Sequence, residues 1–211
     1  MSRCIVAFSG GVESTAVLQY CKEEGLNPIA IHSIWPQKTY KGSGVQAKTE
    51  HPNIPKICER LDVPYIAHVH PDYNDTGDDV WFHSVRHWML AVMAACCRFP
   101  DVTHVFYGGN NGTREFNDDG FDEQPPEKWY SIQSTFDAYQ RLPIKRTKEG
   151  TNVKIYPILL AWTKLQHWKY IKDDIKPLVI SCARPIDGEP CNNCTKCEEF
   201  QSVWSRHMKN L

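Results

Sequence analysis

Cys4-Ile5-Val6-Ala7-Phe8-Ser9-Gly10-Gly11-Val12-Glu13-Ser14-Thr15 decides the fold, because an apolar run, a glycine pair and a helical pattern follow one another without a break. Residues 4–8 read as a short buried strand, and the residues after Gly11 place Ala16, Val17, Tyr20 and Cys21 on one side of a helix. The glycine turn therefore joins strand to helix. Two glycines permit positive φ and close backbone approach, while the helix start offers unpaired N–H groups and a positive dipole to an oxyanion. Ser9, Ser14 and Thr15 add hydroxyl donors. Many α/β chains use a Gly-Gly pair only to turn, so it is the flanking hydroxyls that favour anion binding. Gly-x-x-x-x-Gly-Lys-Ser/Thr is absent and no lysine opens the helix, which removes support for γ-phosphoryl transfer.

Outward from this turn the chain alternates. The first helix stops near Gly25, residues 28–35 read as a second strand, and a polar Lys/Gly/Ser stretch leads into a loop-rich helical segment ending near Leu61. Residues 65–70, 103–107 and 153–156 read as further strands, and residues 80–98 and 129–141 as helices. This order predicts an α/β fold with a doubly wound, mostly parallel five-stranded sheet, followed by a small C-terminal helical segment that binds zinc. Ligands of such sheets sit at the carboxyl ends of the strands, where the glycine turn falls.

Several polar residues lie on these elements. Gly108-Gly109-Asn110 ends the fourth strand, where glycines permit close ligand approach or a plain turn. Thr163-Lys164-Leu165-Gln166 forms a capping box that starts a helix at the same edge. Lys164 is then either a phosphate contact or a solvated first-turn lysine. Arg86, early in the apolar helix 80–98, either reaches the surface or clamps an anionic substrate. Residues 111–128 are polar and acidic, a surface loop able to order over a substrate. His68 with His70 and His83 with His87 have metal-pair spacing but no accompanying carboxylate arrangement, so they read as solvated or hydrogen-bonded histidines. Asp72, Asp75, Asp78 and Asp79 read as a loop and an acidic first turn.

Composition narrows the function classes. A chain of 211 residues with 41% hydrophobic content suits one domain with an appendage, divided here as residues 1–177 and 178–211. No apolar run approaches the ~20 residues of a membrane span, and Met1-Ser2-Arg3 leads into a strand, so a cytoplasmic, soluble protein is expected. A net charge of −1 gives no global electrostatic reason to bind nucleic acid or an anionic membrane and favours a small-molecule substrate. Seven tryptophans leave room for a homodimer.

Of nine cysteines, five are scattered through apolar elements and four crowd the C-terminus. Cys96 and Cys97 read as buried neighbours in a helix. Cys182, Cys191, Cys194 and Cys197 form C-x8-C-x2-C-x2-C, which lets four thiolates converge on one tetrahedral ion. Zinc in a closed structural site is expected. The rival four-iron cluster lacks its usual fourth cysteine and proline, because the run continues Glu198-Glu199-Phe200.

Ser9-Gly10-Gly11-Val12-Glu13-Ser14 resembles the PP-loop of the ATP pyrophosphatase superfamily, Ser-Gly-Gly-x-Asp-Ser, with Glu13 in place of Asp. Together with the cysteine cluster the chain looks like the 7-cyano-7-deazaguanine synthase family of queuosine biosynthesis. Leu61-Asp62-Val63-Pro64, Gly108-Gly109-Asn110, Tyr156-Pro157-Ile158-Leu159, Thr163-Lys164 and Gly188-Glu189-Pro190-Cys191 follow that family's order and spacing. The resemblance implies an adenine nucleotide alpha hydrolase-like fold and an ATP-dependent ligase. Such a ligase adenylates the carboxylate of 7-carboxy-7-deazaguanine, admits ammonia to give the amide, and dehydrates that amide to the nitrile.

On this resemblance Ser9, Gly10, Gly11, Ser14 and Thr15, with Phe8, Val12, Glu13 and Gly109 beside them, would hold ATP and magnesium. Glu13, Arg86 and Lys164 would act at the reacting end, and the four cysteines would carry zinc. Two stretches differ from the family. Its Pro-Gly-Arg-Asn reads Ser84-Val85-Arg86-His87 here, and its tyrosine-rich deazapurine segment is replaced by residues 111–128. The substrate is thus the same base, the same base carried only to the amide, or another carboxylate. Two other readings stand beside these: a PP-loop enzyme that adenylates a nucleobase carbonyl in RNA, and a nucleotide-binding protein without turnover.

Overall fold

Arg3–Ala7 forms β1, buried in four of its five residues, as a strand covered on both faces must be. The structure, a computed structural model, describes residues 3–34, 38–39, 46–47, 52–69, 91–109, 134, 153–182, 189–194, 197–198, 200–202 and 205. After β1 come α1 (Val12–Glu23), β2 (Pro28–Ile34), β3 (Lys38–Thr39), β4 (Gln46–Ala47) and α2 (Ile54–Arg60). They are followed by β5 (Tyr65–Val69), a helical stretch α3 (residues 91–98), β6 (Val102–Tyr107), β7 (Lys154–Tyr156) and α4 (Lys164–Tyr170).

Five strands make one sheet in the order β5-β2-β1-β6-β7, and each neighbouring pair is parallel. The main strands thus fall where the apolar runs placed them, and this sheet is wholly rather than mostly parallel. One feature differs from the sequence reading. β3 and β4 form a separate antiparallel pair in the stretch read as polar loop. Two-residue strands span one alternation at most, too little to leave a periodic signal.

Helices cover both faces. On one, Ala16, Val17, Leu18 and Cys21 of α1 pack with Ile57 of α2, Trp168 of α4 and the sheet residues Cys4, Val6 and Phe106. On the other, Ala91, Val92, Ala95 and Cys96 of α3 pack on Ile5, Ala7, Ile29 and Ile31. This is the doubly wound arrangement. Cys97 is exposed while Cys96 is buried, a correction to their reading as a buried pair. Successive helical residues project about 100° apart, so only one of the two faces the sheet. Among the described residues no helix is long and apolar enough to cross a membrane.

Local chemistry sets the element ends. Glu24 caps α1, and Gly25 follows at φ +69, the left-handed conformation that glycine adopts without strain. At the end of α2, Asp62 takes φ +51, its N–H donates to Glu59 O at 3.0 Å, and Val63 N–H donates to Cys58 O at 2.9 Å. Leu61-Asp62-Val63-Pro64 is thus a helix stop that feeds β5. Thr163 Oγ1 accepts from Gln166 N at 3.2 Å and Gln166 Oε1 accepts from Thr163 N at 2.8 Å, so the expected capping box forms.

The strand order contains a reversal. From β1 the chain winds through β2 to β5, then returns across the sheet to β6 and β7. β1 and β6 are the strands at which winding changes direction, and their carboxyl ends align through Ala7↔Tyr107. Ligands of doubly wound sheets bind at such a switch point, and the turns at residues 9–11 and 108–109 follow the two strands there.

Candidate functional site

The glycine turn is shaped by its own hydroxyls. Gly10 takes φ +77, and Gly11 caps α1 in extended conformation. Ser14 Oγ donates to Gly11 O at 3.2 Å, accepts from Ser9 N–H at 3.2 Å, and lies 3.0 Å from Ser9 Oγ. Gly11 N–H reaches Ser9 Oγ at a long 3.4 Å. Ser9 is exposed, whereas Phe8, Gly10, Val12, Ser14 and Thr15 are buried. Thr15 is 0% exposed and its Oγ1 has no hydrogen-bond partner among the described residues. The turn places the exposed Ser9 hydroxyl beside the N–H groups at the start of α1, donors of the kind a phosphate group takes.

Gly108 completes the turn from the neighbouring strand. A Cβ there would lie 2.6 Å from Ser14 N and 2.8 Å from Glu13 C. The requirement for glycine at 108 is therefore close approach to the backbone of α1. Gly109, the residue singled out in the sequence, is buried beside it.

Lys164 arrives at this place from the other end of the chain. It opens α4, is 1% exposed, and its Nζ lies 3.5 Å from Glu13 Oε1 at the start of α1. The reading of Lys164 as a solvated lysine is excluded. A cation in the first turn opposes the helix dipole, so tertiary pairing rather than local preference holds it there. Glu13 is 20% exposed and offers an oxygen donor of the kind magnesium takes. The structure brings Glu13 and Lys164 together. Arg86, His70, His83, His87, Asp72, Asp75, Asp78, Asp79 and residues 111–128 lie outside the described residues.

Sequence reasoning missed His167, which is 0% exposed and stands one turn beyond Thr163. Its Nδ1 lies 2.9 Å from Thr163 O, and because a carbonyl can only accept, Nδ1 carries the proton. Burial leads in pushing the His167 pKa below its ordinary value; the Glu13 charge and the Thr163 bond raise it, and Lys164 lowers it. Nε2 has no hydrogen-bond partner among the described residues. A signal was present, since Lys164 and His167 are three apart on one helix and share a face.

The second centre is the cysteine cluster. The sulfurs of Cys182, Cys191, Cys194 and Cys197 all lie within 4.8 Å of one another. Cys182–Cys191 and Cys194–Cys197 are separated by 3.6 Å, and Cys182–Cys194 and Cys191–Cys197 by 3.9 Å. Four sulfurs at the zinc–thiolate bond length in a tetrahedron stand about 3.8 Å apart, so this donor set fits zinc. Asn192 takes φ +57 inside the C-x2-C turn, and Cys191 N–H donates to Cys182 Sγ at 3.4 Å. His68 is on β5, and no second metal-ligand group of three or more accompanies it among the described residues.

Comparison with known proteins adds little to this geometry. No family model matches the chain, and no curated protein matches it. Among solved structures it is similar to NMN synthetase from Francisella tularensis, at 11% identity and a TM-score of 0.44, over 98% of this chain and 84% of that one.

Proposed function

We propose that the protein is an ATP-dependent enzyme of the PP-loop type that works as 7-cyano-7-deazaguanine synthases do, on 7-carboxy-7-deazaguanine and ammonia. The observation that carries this reading is the buried Lys164, brought onto Glu13 at the start of α1 beside the glycine turn. A buried cation, a set of donors and an acidic oxygen at a sheet switch point suit a nucleotide whose phosphates change charge during reaction.

The substrate carboxylate oxygen attacks the α-phosphorus of ATP, an O–P bond forms, and pyrophosphate leaves with the electron pair of the broken bond. Ammonia then attacks the acyl carbon, AMP departs, and one proton is released to give the amide. For the nitrile, a second ATP activates the amide oxygen, which leaves on AMP as two N–H protons are lost. The exposed Ser9 hydroxyl, with the first N–H groups of α1, holds the departing pyrophosphate, and Ser14 keeps the turn in shape through its bonds to Gly11 O and Ser9 N–H. Lys164 stabilises the developing charge of the pyrophosphate. When bound, magnesium supplies further charge neutralisation on the phosphates, with Glu13 as an oxygen donor. Zinc on the four cysteines has a structural part.

The test is full-length protein with ATP, magnesium, ammonium and 7-carboxy-7-deazaguanine, with base products read by mass spectrometry and nucleotides by chromatography. Nitrile with AMP is expected. Amide with AMP would confine the activity to the first half-reaction. No AMP with this substrate or with other carboxylates would overturn the reading.

A further inference from the structure

β7 stands at one edge of the five-stranded sheet and is only three residues long, with Lys154 and Tyr156 exposed on either side of buried Ile155. His104 is in register with Lys154, and Phe106 with Tyr156, so these alternate residues of β6 and β7 share one face of the sheet. It is the face that carries α1, because Phe106 belongs to the apolar cluster beneath that helix. A row of rings therefore runs out to the edge. The His104 ring centroid lies 5.9 Å from that of Phe106 and 5.9 Å from that of Tyr156, with planes tilted by 10° and 25°. Phe106 is 6% exposed, whereas Tyr156 is 41% exposed.

These rings, with Tyr20, Leu26 and Ile158, line a cavity of about 920 Å³. Small-molecule sites are lined in this way and run from about 300 to 1,000 Å³. Arg3 and Thr103, at the starts of β1 and β6, line it as well, so it lies toward the amino ends of these strands. The glycine turn follows the carboxyl end of β1, and no residue of the turn borders the cavity.

Two charged residues line it, Arg3 and Glu24. Arg3 is matched, since its Nε lies 3.0 Å from Asp101 Oδ2 and its guanidinium stands over the Phe99 ring. Glu24, exposed at the end of α1, has no ion pair among the described residues. Its neighbour Glu23 is engaged by Tyr170 OH and by Lys172 Nζ. Lys154, although exposed beside His104, does not line the cavity. The unmatched charge among the lining rings is therefore negative.

We propose that this cavity is a second small-molecule site, which takes a planar aromatic cation with its ring against His104 and Tyr156 and its amidinium or ammonium group at Glu24. Ring faces recruit a flat partner, and their negative quadrupole favours a cation over an anion. A carboxylate adds a charge-assisted acceptor, bidentate toward a forked N–H group. The site shares no residue with the proposed nucleotide site and does not rest on that reading.

Benzamidine is the probe, because it joins a flat ring to a forked cation. Benzoate keeps the ring and reverses the charge, and guanidinium keeps the fork without the ring. Each is titrated into full-length wild type, Glu24→Gln, Tyr156→Ala and Tyr156→Phe, with binding read from the NMR signals of the His104 and Tyr156 rings. Benzamidine is expected to shift those signals and to bind more tightly than either fragment. Glu24→Gln and Tyr156→Ala are each expected to weaken it about fivefold or more, the scale of one charge-assisted or cation–π contact. Tyr156→Phe, which keeps the ring, should bind as wild type does. Both substituted side chains reach solvent, so the variants are expected to fold.

Benzamidine that leaves the two rings unshifted, binds no better than benzoate, or binds both Glu24→Gln and Tyr156→Ala as it binds wild type would overturn the site. ATP affinity measured on the same samples keeps the two readings apart. Lost ATP binding with benzamidine still bound counts against the proposed function alone, and the reverse result counts against this cavity alone.

Discussion

A methyl group on residue 108 would stand 2.6 Å from Ser14 N, in backbone that has no rotamer with which to yield. Gly108→Ala should therefore push β6 and the start of α1 apart, at a cost of about 1–3 kcal/mol, and weaken ATP binding as well. Urea unfolding and calorimetry check the two effects, and an unchanged urea midpoint would contradict the geometry. At Lys164 the expected loss is of another kind. Lys164→Met keeps the volume but leaves Glu13 facing an apolar side chain. Breaking a fully buried pair costs about 3–5 kcal/mol, and because Glu13 retains 20% exposure the expected cost is smaller, about 1–3 kcal/mol. Pyrophosphate release should fall by about 100-fold or more if Lys164 stabilises the leaving group, with Lys164→Arg recovering part of it.

Lys164 meets Glu13 because α4 is locked against α1 by polar side chains rather than by apolar packing alone. Gln19, 2% exposed in α1, donates to Tyr170 O at 3.1 Å and accepts from Lys172 N–H at 3.0 Å, so one amide satisfies two backbone groups at the end of α4. Tyr170 OH donates to Glu23 Oε2 at 2.5 Å. Burial works against the Glu23 charge, but the bonds from Tyr170, Lys172 and Gln19 outweigh it and hold the carboxyl below its ordinary pKa. Gln19→Leu should cost about 1–3 kcal/mol by stranding those backbone groups, and should reduce ATP turnover without touching the turn itself. Thermal unfolding and steady-state rates check this, and loss of stability without loss of rate would show that α4 needs no such clamp. The same residue shows where sequence reading stops. Strand 4–8, the turn and the capping box at Thr163 were legible because each is written in neighbouring residues. Gln19 to Lys172, Lys164 to Glu13 and Ile180 to Gly10 are contacts across the fold, and nothing local marks them. A glutamine at position 19 reads as a polar face, and an isoleucine two residues before Cys182 gives no sign that its N–H donates to Gly10 O at 3.3 Å.

Across the whole molecule these contacts make stability depend on pH with a sign that can be worked out. His167 is buried on α4 next to Glu13 and Lys164, and burial lowers its pKa from the ordinary 6.5. Its imidazole is neutral when folded and titrates at about 6.5 when unfolded. Between that value and the lower folded one, the unfolded chain binds one proton more than the folded chain. Stability therefore rises with pH through this window and falls on acidification, by at most about 1.4 kcal/mol per pH unit. Acid also protonates the four thiolates of a metal-loaded cluster, which destabilises the protein in the same direction. The two contributions separate in a comparison of wild type with His167→Gln, both zinc-loaded, by urea unfolding between pH 7.5 and pH 5.5. The thiolate contribution is common to both proteins, so the difference in slope belongs to His167. The variant should show the shallower loss, and it should be zinc-replete at the upper end. Equal slopes would mean that position 167 titrates alike in the folded and unfolded chain, and that its burial beside Glu13 does not keep the ring neutral.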